Sequence, residues 1–475
     1  MKHWNDLKPW HTNAALIAFG FGLIAYTRQL ISEADHYTYG ADFCSKGSLV
    51  LYLGACFLVL SRRANTDRFT LPILLTFAIA TRIVGLFPDP FLSSDVYRYA
   101  WDGVVQHAGI NPYRYVPGDP HLAFLRAPNA DLFANINRRD YAHTIYPPVA
   151  QLIFYAITWL APTVTFMKVA MVLFEGLAVY AMSLILRELN LRREWLILYL
   201  WCPLCIWEFG SSGHLDAIIL AFLSFAFLFR LRGQPALTGL FLGLAVLTKF
   251  YPLVLFPALY QLRPGKSGSA KPDWKMPAVM AALTVATYSV YLSVGLQVFG
   301  FLHGYVEEEG MATGSRYFLL ELAEHITHRP LPSAAFLAVA ACIFTALIVW
   351  CWRTCIRPKS APASFLRPAL ALALAMMLLF SPHYPWYLAW LVPFLVIVPS
   401  ITVLTYVCGL FYLCTTALAT GYGAPQYHLN EILYTTTAIA AIIELSIYRI
   451  PVTRAWIQRR FECRVTTRLP LHSSS

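Results

Sequence analysis

The chain has 475 residues, of which 13% are charged and 58% apolar or aromatic, with a net charge of +11. A single domain of this size has no core that could hide so much apolar surface, so a soluble enzyme is excluded and the expectation is a bilayer-embedded, multi-spanning protein. The basic excess, which would suggest nucleic acid in a soluble chain, is distributed here as a topology signal, and no nucleic-acid partner is expected.

Apolar runs of spanning or near-spanning length are read first at Asn13 to Ile31, Gly47 to Leu60 and Phe69 to Phe87. The first is long enough to span and lacks a small-residue cleavage site, so it is expected to stay as an anchor. The runs are read as helices because an unpaired backbone group in lipid costs several kcal/mol, and the alternation of a membrane barrel is missing. A long polar loop, 88–162, follows. Within it Asp95 to Ala108 has helical spacing suited to an interfacial helix, and Tyr146 to Leu160, although apolar, is expected not to cross.

Further runs lie at Thr165 to Leu186, Trp195 to Phe209 and Leu215 to Phe229. Leu237 to Leu247 and Pro252 to Tyr260 form a hairpin around Thr248-Lys249-Phe250-Tyr251-Pro252, whose outward tip is expected to carry little packing. Met276 to Leu296 precedes a second polar loop, 298–332, in which Glu307, Glu308 and Glu309 read as a solvated face. Ser333 to Trp352, Ala369 to Phe380, Tyr387 to Val398, Ile401 to Thr420 and Ile432 to Ile447 complete the series. The expected architecture is all-α and polytopic, with roughly 12–14 transmembrane helices in one domain over 1–454 and a basic tail over 455–475. Most of the ten cysteines, including Cys202 and Cys205, lie inside apolar runs and do not suggest a disulfide framework.

The basic residues Lys2 and Lys8, Arg62, Arg63 and Arg68, Arg187 to Arg193, Arg230 and Arg232, Lys266 to Lys275, Arg353 to Arg367 and those of the tail all fall on one face if the chain starts there. That face is expected to be cytoplasmic, with both termini on it. Ionisable groups near membrane boundaries are expensive unless used, and here they collect on the opposite face: Asp95, Arg98 and Asp102; His214 and Asp216; Lys249 and Tyr251; Arg316; His383, Trp386 and Tyr387.

Asp95 in the first large outer loop, Asn111-Pro112-Tyr113, Tyr146-Pro147-Pro148, Gly213-His214-Leu215-Asp216, Leu247 to Pro252 and Pro382-His383-Tyr384-Pro385-Trp386-Tyr387 follow one another as in certain lipid-linked glycosyltransferases. The chain resembles GT-C fold enzymes and is similar to glycosyltransferase family 87 and to polyprenyl-phosphomannose-dependent mannosyltransferases, the resemblance covering roughly Phe69 to Tyr387. It implies a polyprenyl-phosphate sugar donor with mannose as the favoured hexose, inversion at the anomeric carbon and an essential Asp in the first outer loop.

The residues themselves suit that chemistry. A sugar joined to a lipid phosphate already carries its leaving group, so the protein must supply a base and a phosphate clamp. Asp95 is the expected base, since a carboxylate within about 3 Å of an acceptor hydroxyl can take its proton. Asp102 reads as structural or acceptor-binding, while His214, Asp216 and His383 read either as substrate contacts or as cap and turn residues. Lys249, with Arg316 as its partner, is expected to neutralise the departing phosphate, against the plainer reading of a lysine that snorkels to the interface. Tyr97, Tyr113, Trp386 and Tyr387 can stack on sugar faces or line a prenyl groove.

The expected partners are therefore a polyprenyl-phosphate-linked sugar, a lipid, glycan or protein acceptor, and membrane lipids, with the site on the extracytoplasmic face of the inner (plasma) membrane. No cofactor or metal is called for. The rival readings are a secondary transporter or lipid flippase, which would place its charges near the midplane and show repeated halves, and a surface-glycan polymerase or ligase.

Overall fold

The computed structural model describes residues 8–33, 39–61, 66–90, 93–265, 269–358, 360–381, 384–419 and 426–449. His383 and the basic tail lie outside the described residues. Thirteen longer helices carry the fold: α1 (Pro9–Glu33), α2 (Tyr39–Leu60), α3 (Thr70–Leu86), α4 (Asp95–His107), α5 (Pro148–Leu160), α6 (Val164–Glu188), α7 (Asp216–Leu231), α8 (Pro235–Val246), α9 (Lys275–Ser289), α10 (Ser333–Thr354), α11 (Leu366–Phe380), α12 (Ile401–Ala419) and α13 (Gln426–Arg449). The described residues are all-α apart from a two-residue antiparallel ribbon pairing Arg263–Pro264 with Ala270–Lys271.

Among the described residues, five helical segments are long and apolar enough to cross a membrane: Pro9–Ser32, Phe43–Leu60, Val164–Glu188, Ser333–Thr354 and Pro362–Phe380. A sixth arises if Lys275–Ser289 and Leu292–Glu308, which meet at a bend of 114°, count as one span. Several other runs read as spans turn out shorter or broken. Trp195 to Phe209 is no single helix: it passes through a 3-10 turn, a short α turn, Pro203 and a π-helical segment over Ile206–Ser211. Tyr387 to Val398 lies in a 3-10 stretch, Pro385–Leu391, followed by Val392–Ile397. Nearly every side chain in these two segments is buried, and α7 is buried along most of its length. Apolar composition cannot separate a helix facing lipid from a strand of chain enclosed by other helices. Irregular backbone at membrane depth is tolerated only in the second setting.

The enclosed segments are pinned by close backbone approach and by a buried ion pair. A Cβ added at Gly85 in α3 would lie 2.9 Å from the carbonyl carbon of Gly210, so glycine is what lets α3 press against the π turn. Arg82, one helical turn earlier, pairs with Glu175 of α6 at 2.7 Å and donates to the Leu200 carbonyl at 2.5 Å. A buried guanidinium is tolerable only when its charge and its N–H groups are met in this way.

Hydrogen bonds order the two ends of the bundle. Lys168, near the start of α6, donates to the Pro88 carbonyl at 2.7 Å. At the far end of the same helix Glu188 pairs with Arg232 at 2.8 Å. The twenty residues between them make about 30 Å of helix. Around the Glu188 end, Arg192 donates to Thr66 at 2.9 Å and Arg230 to the Cys355 carbonyl at 2.9 Å. Among the described residues, the basic chain around Arg192, Arg230 and Arg232 therefore gathers at one end, and the chain around Asp95 lies at the other.

The segment read as non-crossing forms α5, a 13-residue helix too short to span, which packs along α4. Its last turn leaves Trp159 and Leu160 exposed. The Glu307 to Glu309 run is not a solvated face throughout. Glu309 is buried against Arg316, and Glu308 pairs with Arg138 at 2.7 Å, because the 298–332 loop folds back onto the bundle and onto the 88–162 loop.

Candidate active site

A cavity of about 440 Å³ opens between the 88–162 loop, the tip of the α8 hairpin, the 298–332 loop and the Tyr384 to Tyr387 segment. Of the side chains singled out in the sequence, Asp95, Arg98, Tyr146, Lys249, Trp386 and Tyr387 line it. Four segments distant in sequence thus converge on one space.

Asp95 opens α4, following Ser94 at the cap position, and its backbone N–H reaches the Ser93 hydroxyl at 3.2 Å. A carboxylate in the first turn is favoured by the unpaired N–H groups and positive dipole end there. Its Oδ1 accepts the Asn137 amide at 2.9 Å, and it makes no ion pair among the described residues. The cations facing the same cavity are all matched. Arg98 donates through Nε to Asp102 at 2.7 Å and through Nη1 to the Ala142 carbonyl at 3.0 Å. Lys249 sits 2.7 Å from Asp216, and Arg138 2.7 Å from Glu308. None of the three has exhausted its donors in those bonds, since an ammonium carries three N–H groups and a guanidinium five.

Asp216 does not itself reach the cavity. It begins α7 after Gly213, whose φ of +69° and the Lys168 side chain 2.7 Å from its would-be Cβ both require glycine. There it is fully buried, bonded to Lys249 and, at 2.9 Å, to the Tyr251 hydroxyl. Lys249 is 16% exposed, and its Nζ lies 4.8 Å from the Tyr387 ring centre. The hairpin tip is therefore built into the site rather than standing clear of it.

Trp386 is sandwiched by His214, at 4.1 Å between ring centres, and by Tyr384, at 4.5 Å. His214 is buried behind the wall of the cavity, 3.3 Å from Glu208. The Tyr387 hydroxyl meets that of Tyr305 at 2.9 Å. The result is an aromatic wall facing an acidic corner.

Other predicted residues lie elsewhere. Tyr97, Asp102, Tyr113 and Tyr251 stand behind the lining; the Tyr113 hydroxyl donates to the Tyr146 carbonyl at 2.6 Å and so positions that residue from below. Asn111 is turned away, bonded to the Tyr291 carbonyl and the Ser293 hydroxyl. Arg316 is buried, paired with Glu309 and bonded to the Phe380 carbonyl at 3.2 Å, so it does not line the cavity beside Lys249.

Conversely, Asn137, Arg138, Tyr305 and Tyr384 line the cavity without having been singled out. Arg138 has φ of 52°, the left-handed region that a non-glycine residue seldom adopts, and such strain collects at working sites. Burial disfavours its charge, but the bonded Glu308 carboxylate overrides this and raises the guanidinium pKa above its ordinary value. The same carboxylate accepts the Tyr141 hydroxyl at 2.9 Å and raises that phenol too.

A family model described as "Alpha-(1->6)-mannopyranosyltransferase, N-terminal domain" matches residues 15–263, just over half of the chain. The chain belongs to this mannosyltransferase family. No curated protein matches it. The protein is thus a glycosyltransferase that transfers mannose, and the transporter and flippase readings fall away. The matched stretch includes Asp95, Arg98, Asn137, Arg138, Tyr146 and Lys249, while Tyr305 and the Tyr384 to Tyr387 wall come from beyond it.

Proposed function

We propose that this mannosyltransferase takes its sugar from a polyprenyl-phosphate-linked donor and passes it, with inversion, to a hydroxyl of a lipid, glycan or protein acceptor on the extracytoplasmic side of the inner membrane. The observation that carries the reading is the pairing pattern in the cavity. Asp95 is the lining carboxylate with no cation partner, whereas Arg98, Lys249 and Arg138 each have one.

In this reading Asp95 takes the proton of the acceptor hydroxyl as its oxygen attacks C1 from the face opposite the phosphate. The C1–O bond breaks, the electron pair leaves with the prenyl phosphate, and negative charge grows on its oxygens. Unspent N–H donors of Lys249, Arg98 and Arg138 meet that charge where it develops. Because each cation already has a carboxylate partner, the empty cavity carries no large positive field, and the clamp works through directed donors instead. Tyr384, braced from behind by Trp386, offers a flat apolar face to a pyranose ring.

The family description makes an α-1,6 linkage the first to test. Purified protein would be incubated with radiolabelled polyprenyl-phosphate mannose, the matching glucose donor, and candidate acceptors. Labelled product and released prenyl phosphate from the mannose donor alone are expected. Transfer from a nucleotide-linked mannose, with the lipid-linked donor inert, would overturn the donor assignment.

A further inference from the structure

A second cavity, of about 590 Å³, opens where α4 ends. Its volume lies within the range of about 300–1,000 Å³ usual for ligand sites. Gln106, Arg114, Tyr115, His121, Tyr155 and Tyr291 are among its lining residues, and no carboxylate is. Two of its rings are held in stacked pairs: Tyr115 with His121, 4.7 Å apart at 8°, and Tyr155 with His107, 4.4 Å apart at 26°. Arg114 is exposed and makes no ion pair among the described residues. Flat, braced aromatic rings beside amide, phenol and guanidinium groups suit a neutral polyhydroxylated ligand, whose rings present apolar faces and polar edges. One cation without a second is a poor phosphate clamp.

A continuous hydrogen-bonded chain links this space to the first. The Tyr291 hydroxyl donates to Gln106 Oε1 at 2.8 Å, and Gln106 Nε2 to Gln151 Oε1 at 3.1 Å. Gln151 Nε2 donates to Asp102 Oδ2 at 2.9 Å, and Asp102 Oδ1 accepts Arg98, which lines the catalytic cavity. Asp95 and Gln106 both stand on α4, eleven residues or about 16 Å apart along its axis. A single sugar could not occupy both cavities, but an oligosaccharide could.

We infer that the second cavity is a subsite for the acceptor's saccharide chain, holding mannose units remote from the hydroxyl that is glycosylated. This rests on the glycosyltransferase reading above. The shared polar chain keeps the two spaces in fixed register, so that a glycan seated in one presents its end to the other.

The test compares α-1,6-linked mannotetraose with methyl α-mannoside as acceptors for the full-length enzyme, using wild type, Arg114→Ala, Tyr155→Ala and Tyr155→Phe. Loss of one stacking face should raise KM for mannotetraose about tenfold in Tyr155→Ala, with kcat and the methyl α-mannoside KM unchanged. Tyr155→Phe, which keeps the ring, should behave as wild type. Saturation-transfer NMR of mannotetraose on the same proteins without donor reads binding alone, and its signal should weaken in Tyr155→Ala and Arg114→Ala. Unchanged mannotetraose KM and NMR signal in both alanine variants overturn the inference, as does an equal loss with both acceptors. If wild type transfers mannose to neither acceptor, the catalytic reading is in question, while the NMR comparison still decides the subsite.

Discussion

The ammonium of Lys249 lies 2.7 Å from Oδ2 of Asp216, and the other oxygen of that carboxylate accepts the Tyr251 hydroxyl at 2.9 Å. The tip of the α8 hairpin is thereby fastened to the first turn of α7. An outward tip with little packing would tolerate Lys249→Ala; this one should not. The substitution strands a fully buried Asp216 without its counter-charge, at a cost of about 3–5 kcal/mol. Thermal unfolding in detergent should show a clear fall for Lys249→Ala and recovery on adding Asp216→Asn. If Lys249 also meets the donor phosphate, the stable double variant keeps a raised donor KM. Wild-type donor kinetics in that variant would leave Lys249 with a structural role only.

Asp95→Asn preserves shape and removes the proton acceptor. It should lower kcat by about 100-fold or more, the scale of general acid and base catalysis, with donor binding retained. Asn137→Ala removes the one amide that orients Asp95 Oδ1 and should cost much less, about tenfold in kcat, on the scale of one hydrogen bond to a carboxylate. Near-normal turnover in Asp95→Asn together with inactivity of folded Asp102→Asn would move the base to Asp102.

What the sequence made legible follows from where charge is costly. Asp95, Arg98 and Lys249 stood out because an ionisable side chain at the end of an apolar run has to be used, and all three line the cavity. The helical spacing of Asp95 to Ala108 likewise predicted α4 to within one residue. Pairing was not legible. Nothing in the spacing of Asp216 and Lys249, or of Glu309 and Arg316, reveals that each carboxylate is buried against its cation. Asn137 and Arg138 stayed hidden because the loop around them has no period, and a left-handed φ at an arginine leaves no compositional trace. Trp195 to Phe209 was misread for a simpler reason: protein interior and lipid select the same side chains.

The glycine contact between α3 and the π turn yields a prediction about stability alone. Gly85→Ala places a methyl group 2.9 Å from the Gly210 carbonyl carbon and 3.1 Å from its oxygen, atoms that cannot rotate aside. Overpacking against backbone should cost about 1–3 kcal/mol. The expected reading is a lower unfolding temperature with the mannosyltransferase KM values unchanged. An unaltered unfolding temperature would show that α3 can shift without loss, and that the fit between Gly85 and Gly210 is looser than their separation indicates.

The sidedness of the site decides which acceptors can reach it, and the two ends of the bundle make it testable. Asn135 and Thr313 are exposed at the end that carries the cavity, whereas Gln234 is exposed beside the Arg230 and Arg232 cluster, with about 30 Å of helix between the two levels. Loops rich in Lys and Arg are retained on the cytoplasmic side, so the cavity end should face outward. In a cysteine-depleted background, Asn135→Cys and Thr313→Cys should react with a membrane-impermeant maleimide applied to intact cells. Gln234→Cys should react only after permeabilisation. The reverse pattern would put Asp95 and Lys249 in the cytoplasm, where water-soluble activated sugars are available, and would take away the physical reason for a lipid-carried donor. Labelling of all three from outside would break the bundle's two-ended arrangement itself, since no helix of α6's length could then separate Lys168 from Glu188 across a bilayer.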